Sequence, residues 1–196
     1  MRVTRLSLPP LGTNTYLVRL EDRTDCVLID PASPDERLLS AVGDLRVAAV
    51  LLTHGHYDHI GGAGAFSAPV LIHPYDADML SDATLNASAL FGEPFTIDAP
   101  PRLIADGENL SYAGLEIRVL HTPGHTKGSV CYRIGEELFT GDTLFYHGYG
   151  RTDLPGGSFS DLRASIKRLM ALRENMAVHP GHEDETTLAA EVAYYA

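Results

Sequence analysis

The reading of this chain turns on one stretch, Val47-Ala48-Ala49-Val50-Leu51-Leu52-Thr53-His54-Gly55-His56-Tyr57-Asp58-His59. An unbroken apolar run rich in Val and Leu reads as a strand buried on both faces. Directly behind it come three imidazoles and a carboxylate, and then Gly61-Gly62, so the strand runs into a tight turn that gathers these side chains at one end of a sheet. Neutral imidazole nitrogen and carboxylate oxygen are the ligands that zinc and similar divalent metals take at about 2.0–2.2 Å. Proton chemistry alone has no need of so many such groups side by side.

Three further strand ends carry residues of the same kind. Leu120-His121-Thr122-Pro123-Gly124-His125-Thr126 closes an apolar run with a turn bearing histidine, Leu138-Phe139-Thr140-Gly141-Asp142 closes one with an aspartate, and Ala177-Val178-His179-Pro180-Gly181-His182-Glu183 another with histidine. Sites on α/β sheets gather at the carboxyl ends of strands, so these turns can surround a single cavity.

Elsewhere, short apolar runs broken by Gly, Pro, Asp and Asn predict strands over 16–20, 26–29, 47–52, 70–72, 115–120, 129–134 and 138–140. Helices are predicted over 34–42, over 159–172 with Ser160 or Asp161 as N-cap, and over 186–194. Strands and helices alternate through the chain, which predicts a layered α/β domain rather than a barrel or a bundle. The 81–101 stretch has weak periodicity, three prolines and the apolar residues Leu90, Phe91 and Phe95. It reads as a flap near the site.

Composition narrows the function. The 196 residues suit one domain spanning 1–196, and 44% apolar with 21% charged residues is ordinary for a globular protein. A net charge of -11 without a basic cluster speaks against a nucleic-acid partner. Neither an 18-residue apolar run nor an apolar signal core after Met1 is found, so no membrane partner and a cytoplasmic location are expected. Cys26 and Cys131 each lie in an apolar strand and read as buried free thiols. The Asn86-Ala87-Ser88 sequon has no meaning without secretion. The residues alone set no oligomeric state.

The motifs Thr53-His54-x-His56-x-Asp58-His59, Thr122-Pro123-Gly124-His125-Thr126, Thr140-Gly141-Asp142 and Gly181-His182, in that order, resemble those of the metallo-β-lactamase superfamily and, within it, of its short, single-domain glyoxalase II-like (hydroxyacylglutathione hydrolase-like) branch. The resemblance implies a four-layer αββα sandwich. It also implies two divalent ions, zinc foremost with iron or manganese as alternatives: His54, His56 and His125 on the first, Asp58, His59 and His182 on the second, and Asp142 bridging. A metal-bridged hydroxide would then attack a small-molecule substrate, a hydroxyacyl-glutathione thioester or a related small ester, with Asp58 and Asp142 as the catalytic carboxylates. Asp58 could also accept the proton left after attack. Asp30 resembles the family's early aspartate, which supports the metal site from behind.

The resemblance also has gaps. Arg151, in Gly148-Tyr149-Gly150-Arg151-Thr152-Asp153, matches a basic substrate-binding position, but Asp153 and Glu183-Asp184 stand where glyoxalase II has tyrosines, and its helical C-terminal domain has no counterpart before Ala196. Glutathione recognition in the usual manner is therefore not expected. Thiol-ligand β-lactamases place a Cys where this chain has Asp142, so antibiotic hydrolysis is disfavoured. A mono-iron persulfide dioxygenase is the alternative enzyme, since Gly150-Arg151-Thr152-Asp153 resembles that branch too. A non-catalytic metal-binding module is the alternative outside catalysis, although structural zinc cages are usually closed and rich in Cys. His73, His121, His147 and His179 lie at strand ends or loops, where a hydrogen-bonded or solvated imidazole is the default.

Overall fold

The computed structural model describes residues 1–98, 100–172 and 174–195. Among them, strands form two six-stranded sheets, each with its strands in chain order. The first holds β1 (Arg2–Leu8), β2 (Thr13–Arg19), β3 (Asp25–Ile29), β4 (Arg46–Leu51), β5 (Val70–Ile72) and β6 (Arg102–Leu103). It is antiparallel up to β3 and parallel from there on. The second holds β7 (Asn109–Tyr112), β8 (Leu115–His121), β9 (Val130–Ile134), β10 (Glu137–Gly141), β11 (Ala177–Pro180) and β12 (Thr186–Thr187), with β10 and β11 its parallel pair. The helices are α1 (Glu36–Val42), α2 (Tyr57–Ile60), α3 (Phe159–Met170) and α4 (Leu188–Tyr195). None is long and apolar enough to cross a membrane.

The alternation of side chains along the strands sorts the apolar residues into three layers of core. Val27 and Ile29 of β3 face Val130, Tyr132 and Ile134 of β9 between the sheets. Cys26 and Leu28 point the other way, onto Leu38 and Val42 of α1 and Ile60 of α2. On the far side Cys131 and Leu138 meet Leu162, Ile166 and Leu169, the buried stripe of α3. The order helix, sheet, sheet, helix is the αββα sandwich. Each buried Leu or Ile of α3 contributes about 1.5–3 kcal/mol, so the stripe rather than helix propensity holds that helix in place. Both cysteines are buried free thiols.

The two sheets are stitched together where their strands end. Val130 N donates to Thr53 O at 2.8 Å and Asn14 N to Gly181 O at 2.7 Å. The Tyr132 hydroxyl, from the second sheet, donates to Leu52 O, and that of Tyr16, from the first, to Pro180 O, each at 2.7 Å. The turn after β4 is thereby held on β9 of the second sheet, and the turn after β11 on β2 of the first.

Several boundaries differ from the sequence expectation. The N-cap of α3 is Ser158, not Ser160 or Asp161: Ser158 is extended (φ -152°, ψ 112°), its hydroxyl accepts from Asp161 N, and its own N–H donates to Gly124 O. Gly124 itself has φ +138°, and a Cβ there would run into the Leu162 backbone, so only glycine permits this approach of turn to helix. Thr186 and Thr187 begin not the last helix but strand β12, because they pair with β11. Strands β1 and β7, too polar to stand out by periodicity, exist because β2 and β8 offer them a hydrogen-bonding edge. The 81–101 stretch, in which residue 99 lies outside the described residues, has fixed internal bonds: Asn86 takes Ser88 N on its side-chain oxygen and gives its amide to Phe95 O.

Candidate metal centre

All the proposed ligands arrive from the ends of β4, β8, β10 and β11. His54, His56, Asp58 and His59 follow β4, His125 follows β8, Asp142 follows β10 and His182 follows β11. Two triads result, His54–His56–His125 and Asp58–His59–His182, each with one ligand atom per residue mutually within 4.8 Å. Asp142 reaches both, with Oδ2 3.4 Å from His125 Nε2 and 3.6 Å from His182 Nε2, and Oδ1 3.4 Å from His59 Nε2. A third grouping, Asp30–His54–His59, is as compact. Asp30, however, already accepts from Thr53 N at 2.7 Å, Thr53 Oγ1 at 2.5 Å and His59 Nδ1 at 2.9 Å, so both its oxygens are engaged by protein groups.

The outer partners decide which ring nitrogen faces inward. His125 Nδ1 lies 2.7 Å from Arg151 O, which can only accept, so Nδ1 carries the hydrogen and Nε2 a lone pair. Thr53 Oγ1 gives its hydrogen to Asp30 and can only accept from His54 Nδ1 at 3.1 Å, which leaves His54 Nε2 likewise unprotonated. These two lone pairs stand 3.2 Å apart, and His56 Nδ1 crowds the same point, 2.8 Å from His125 Nε2. A single hydrogen can satisfy one of these contacts and not the other. Asp142 Oδ1 and His56 Nε2 are buried with no hydrogen-bond partner at all. Converging lone pairs beside an unbonded buried carboxylate oxygen are the arrangement a cation relieves, so the residues present fit divalent metals.

Electrostatics agree. Burial, reinforced by the neighbouring histidines, holds His54 far below the usual imidazole range, and burial with His125 brings His56 down to about 3. Both rings are neutral at physiological pH, as ligation requires. Burial would also lower His59, yet Asp58, Asp142 and Asp30 around it drive it well upward. That position favours positive charge. For Asp58, burial is outweighed by His59 and the His182 hydrogen bond, which bring it to about 2; Asp142 is likewise pulled down against its burial by His59 and His125.

His56, Asp58, His125, Asp142 and His182 line a cavity of about 220 Å³, whose rim is apolar with Leu11, Phe91, Phe145 and Leu154. His54 and His59 are completely buried behind it. Phe91, from the 81–101 stretch, stacks on Tyr57 with ring centroids 5.3 Å apart, so that stretch does border the site. Arg151 also lines the cavity, but its guanidinium is paired bidentately with Asp153 at 2.6 and 2.7 Å, and it is its carbonyl that engages His125. The remaining histidines stay outside: His73 stacks on His121 at 4.1 Å, His147 packs between Tyr146 and Tyr194, and His179 bridges Glu137 and Glu185.

Sequence reasoning missed Asp76. This buried carboxylate, in a 3-10 turn after β5, accepts from Gly55 N at 3.2 Å, Gly128 N at 2.7 Å and Thr126 Oγ1 at 2.6 Å. It ties the turn carrying His56 to the turn carrying His125. The available signal was one more acidic residue close behind a strand of the same sheet. Thr13, whose hydroxyl donates to Asp58 Oδ2 at 2.9 Å, gave no signal at all.

A family model for the metallo-β-lactamase superfamily matches residues 8–182. The chain belongs to this superfamily. Among relatives, it is 34% identical to the hydroxyacylglutathione hydrolase GloC of Haemophilus influenzae, covering 87% of this chain and 86% of that one. Among solved structures it resembles BLEG-1, described as a B3 metallo-β-lactamase (TM-score 0.93, 37% identity, 98% and 97% of the two chains), and TTHA1623 in a di-iron-bound form (TM-score 0.84, 39% identity, 96% of each). The names of these relatives span more than one substrate and leave the metal open.

Proposed function

We propose that the protein is a cytoplasmic binuclear metal hydrolase that cleaves a thioester, such as a hydroxyacyl-glutathione or a related small ester. His54, His56 and His125 would hold the first divalent ion, Asp58, His59 and His182 the second, and Asp142 would bridge them. The observation that carries this reading is the convergence of two ligand triads on the shared Asp142, with lone pairs that no hydrogen can reconcile. When bound, two such ions supply a nucleophile from water at neutral pH and polarise the scissile carbonyl. Zinc is the first expectation, and iron or manganese suits the same donors.

The chain's own residues would do the rest. Asp30 and Thr53 hold His59 and His54 in the tautomers that ligate, and the Arg151 carbonyl does so for His125. Asp58, which faces the cavity and accepts from Thr13, would take the proton released on attack. Leu11, Phe91 and Phe145 would give the substrate an apolar wall beside the reacting groups.

The resemblance to GloC supports the thioester, and that to BLEG-1 makes a β-lactam amide the second substrate to include. The test is metal analysis of the purified protein combined with steady-state assays on lactoyl thioesters and a β-lactam. Two equivalents of metal and thioester cleavage are expected, both lost in His56→Ala and Asp142→Ala. If either variant keeps full metal content and activity, the proposed site is wrong. Iron with oxygen uptake on a glutathione persulfide would favour the dioxygenase instead.

A further inference from the structure

Beside the metal cavity lies a second hollow of about 310 Å³, walled by Pro9, Pro10, Ser33, Tyr57, Glu93 and Phe95. Tyr57 lines both hollows and is the saddle between them. The same two chain segments flank them: the β1–β2 turn gives Leu11 to the cavity and Pro9-Pro10 to the second hollow, while the segment after Asn86 gives Phe91 to the cavity and Glu93 and Phe95 to the hollow. That second wall is fixed, since the Phe95 carbonyl accepts from Asn86 and Phe95 N donates to the Ser88 hydroxyl.

Among the described residues that line this trough one is charged, and it is an acid. Ser33 Oγ is buried with no hydrogen-bond partner, and Glu93 supplies the carboxylate. The residues lining both hollows include one cation, Arg151, whose fork is already filled by Asp153. The protein as a whole carries -11. An anionic group in the trough would meet the Glu93 carboxylate and no cation among the trough's described residues, whereas a chain with apolar methylenes and a cationic end would find Pro9, Pro10 and Phe95 for its body and Glu93 for its end.

We infer that the leaving-group arm of the substrate crosses Tyr57 into this second hollow, and that the enzyme selects thioesters whose thiol carries an uncharged or cationic tail over those with an anionic tail. The inference rests on the thioesterase reading above and, within it, favours a related small ester over a hydroxyacyl-glutathione, whose thiol tail carries two carboxylates and one ammonium. It makes Glu93 a specificity-determining position remote from the reacting atoms, so its effect falls on KM more than on kcat.

The experiment compares lactoyl thioesters of three thiols of equal length: mercaptohexanol, mercaptohexanoate and a trimethylammonio-hexanethiol, whose quaternary nitrogen also prevents acyl migration. With an exposed carboxylate as the selector, kcat/KM for the cationic tail should exceed that for the carboxylate tail by about three- to fivefold, chiefly in KM. Glu93→Gln, a surface substitution, should bring the ratio down to about twofold or less. Equal rates for the three tails, a preference for the carboxylate, or a ratio unmoved by Glu93→Gln would overturn the inference. Should no thioester be cleaved, the thioesterase reading fails on its own. The trough is then judged by calorimetric binding of the three matched S-methyl thioethers to the metal-loaded protein, under the same criteria for the ratio and its dependence on Glu93.

Discussion

Replacing Asp30 by Asn would change two or three atoms' chemistry while leaving backbone and volume almost untouched. Asp30 has φ +48°, a region that Asn occupies more readily than most residues, so the substitution adds no new strain. Its Oδ1 accepts from Thr53 N, and its Oδ2 accepts from both Thr53 Oγ1 and His59 Nδ1. An amide can keep one of these two faces. With its oxygen left on Thr53 N, its NH2 confronts His59 Nδ1–H, and the imidazole escapes the clash by moving its hydrogen to Nε2, the nitrogen 3.5 Å from Asp58 and 3.4 Å from Asp142. That nitrogen then has no lone pair for a metal. Loss of such an orienting partner costs about 10–100-fold in metal affinity, or about 1.4–2.8 kcal/mol. The buried mismatch destabilises the fold by a further 1–3 kcal/mol or so, which for a chain of this size lowers Tm by roughly 2–12 °C. Elemental analysis after dialysis, with chelator competition for the two sites and a thermal melt, reads all three effects. The expected result is one metal retained and the other lost or weakened. An Asp30→Asn protein that binds two equivalents at unchanged affinity would refute the assignment of Asp30 as the group that sets the His59 tautomer.

Two further outcomes follow from the same structure. Asp76→Asn removes an acceptor from the strut between the Gly55 and Thr126 turns, so the first site, through His56 and His125, should lose about tenfold in metal affinity while the second stays intact; equal weakening of both sites in competition titrations would count against a local role. His73, held down at about 4 by burial and by its stack with His121, excludes a proton that the unfolded chain takes up near 6.5. Falling pH therefore favours the unfolded state across that window, and stability should rise from about pH 4 to 6.5. Urea unfolding of wild type against His73→Gln isolates the contribution: the variant should show a shallower rise, and identical slopes would contradict it.

The relation between sequence and structure differs from residue to residue. His54, His56, Asp58 and His59 were legible because a short loop after an apolar strand has few ways to point its side chains, and their spacing alone brings them together. His125, Asp142 and His182 were legible as strand-end residues, and the family resemblance joined them to the first four. Asp76, Thr13 and the Arg151 carbonyl were not, because each acts through a contact made 21 or more positions away in the chain, and nothing in their own neighbourhood marks it. The Arg151 side chain shows the converse: its type suggested anion binding, but a partner two residues on had already claimed it.

What this sequence determined by itself is the chemistry of the ligands and the layered α/β class, since both rest on local pattern: apolar runs of strand length, and imidazoles and carboxylates at their ends. What only the tertiary structure decided is how those ligands are set. The approach of two sheets, closed by Val130 to Thr53 and Asn14 to Gly181, brings together turns that lie far apart in the chain. The choice of ring nitrogen at His54, His59 and His125 then follows from outer partners that only this packing supplies. Hydrogen bonds are short and directional, so ligand identity can be read along a chain, but ligand orientation exists only once distant backbone and side-chain groups have met.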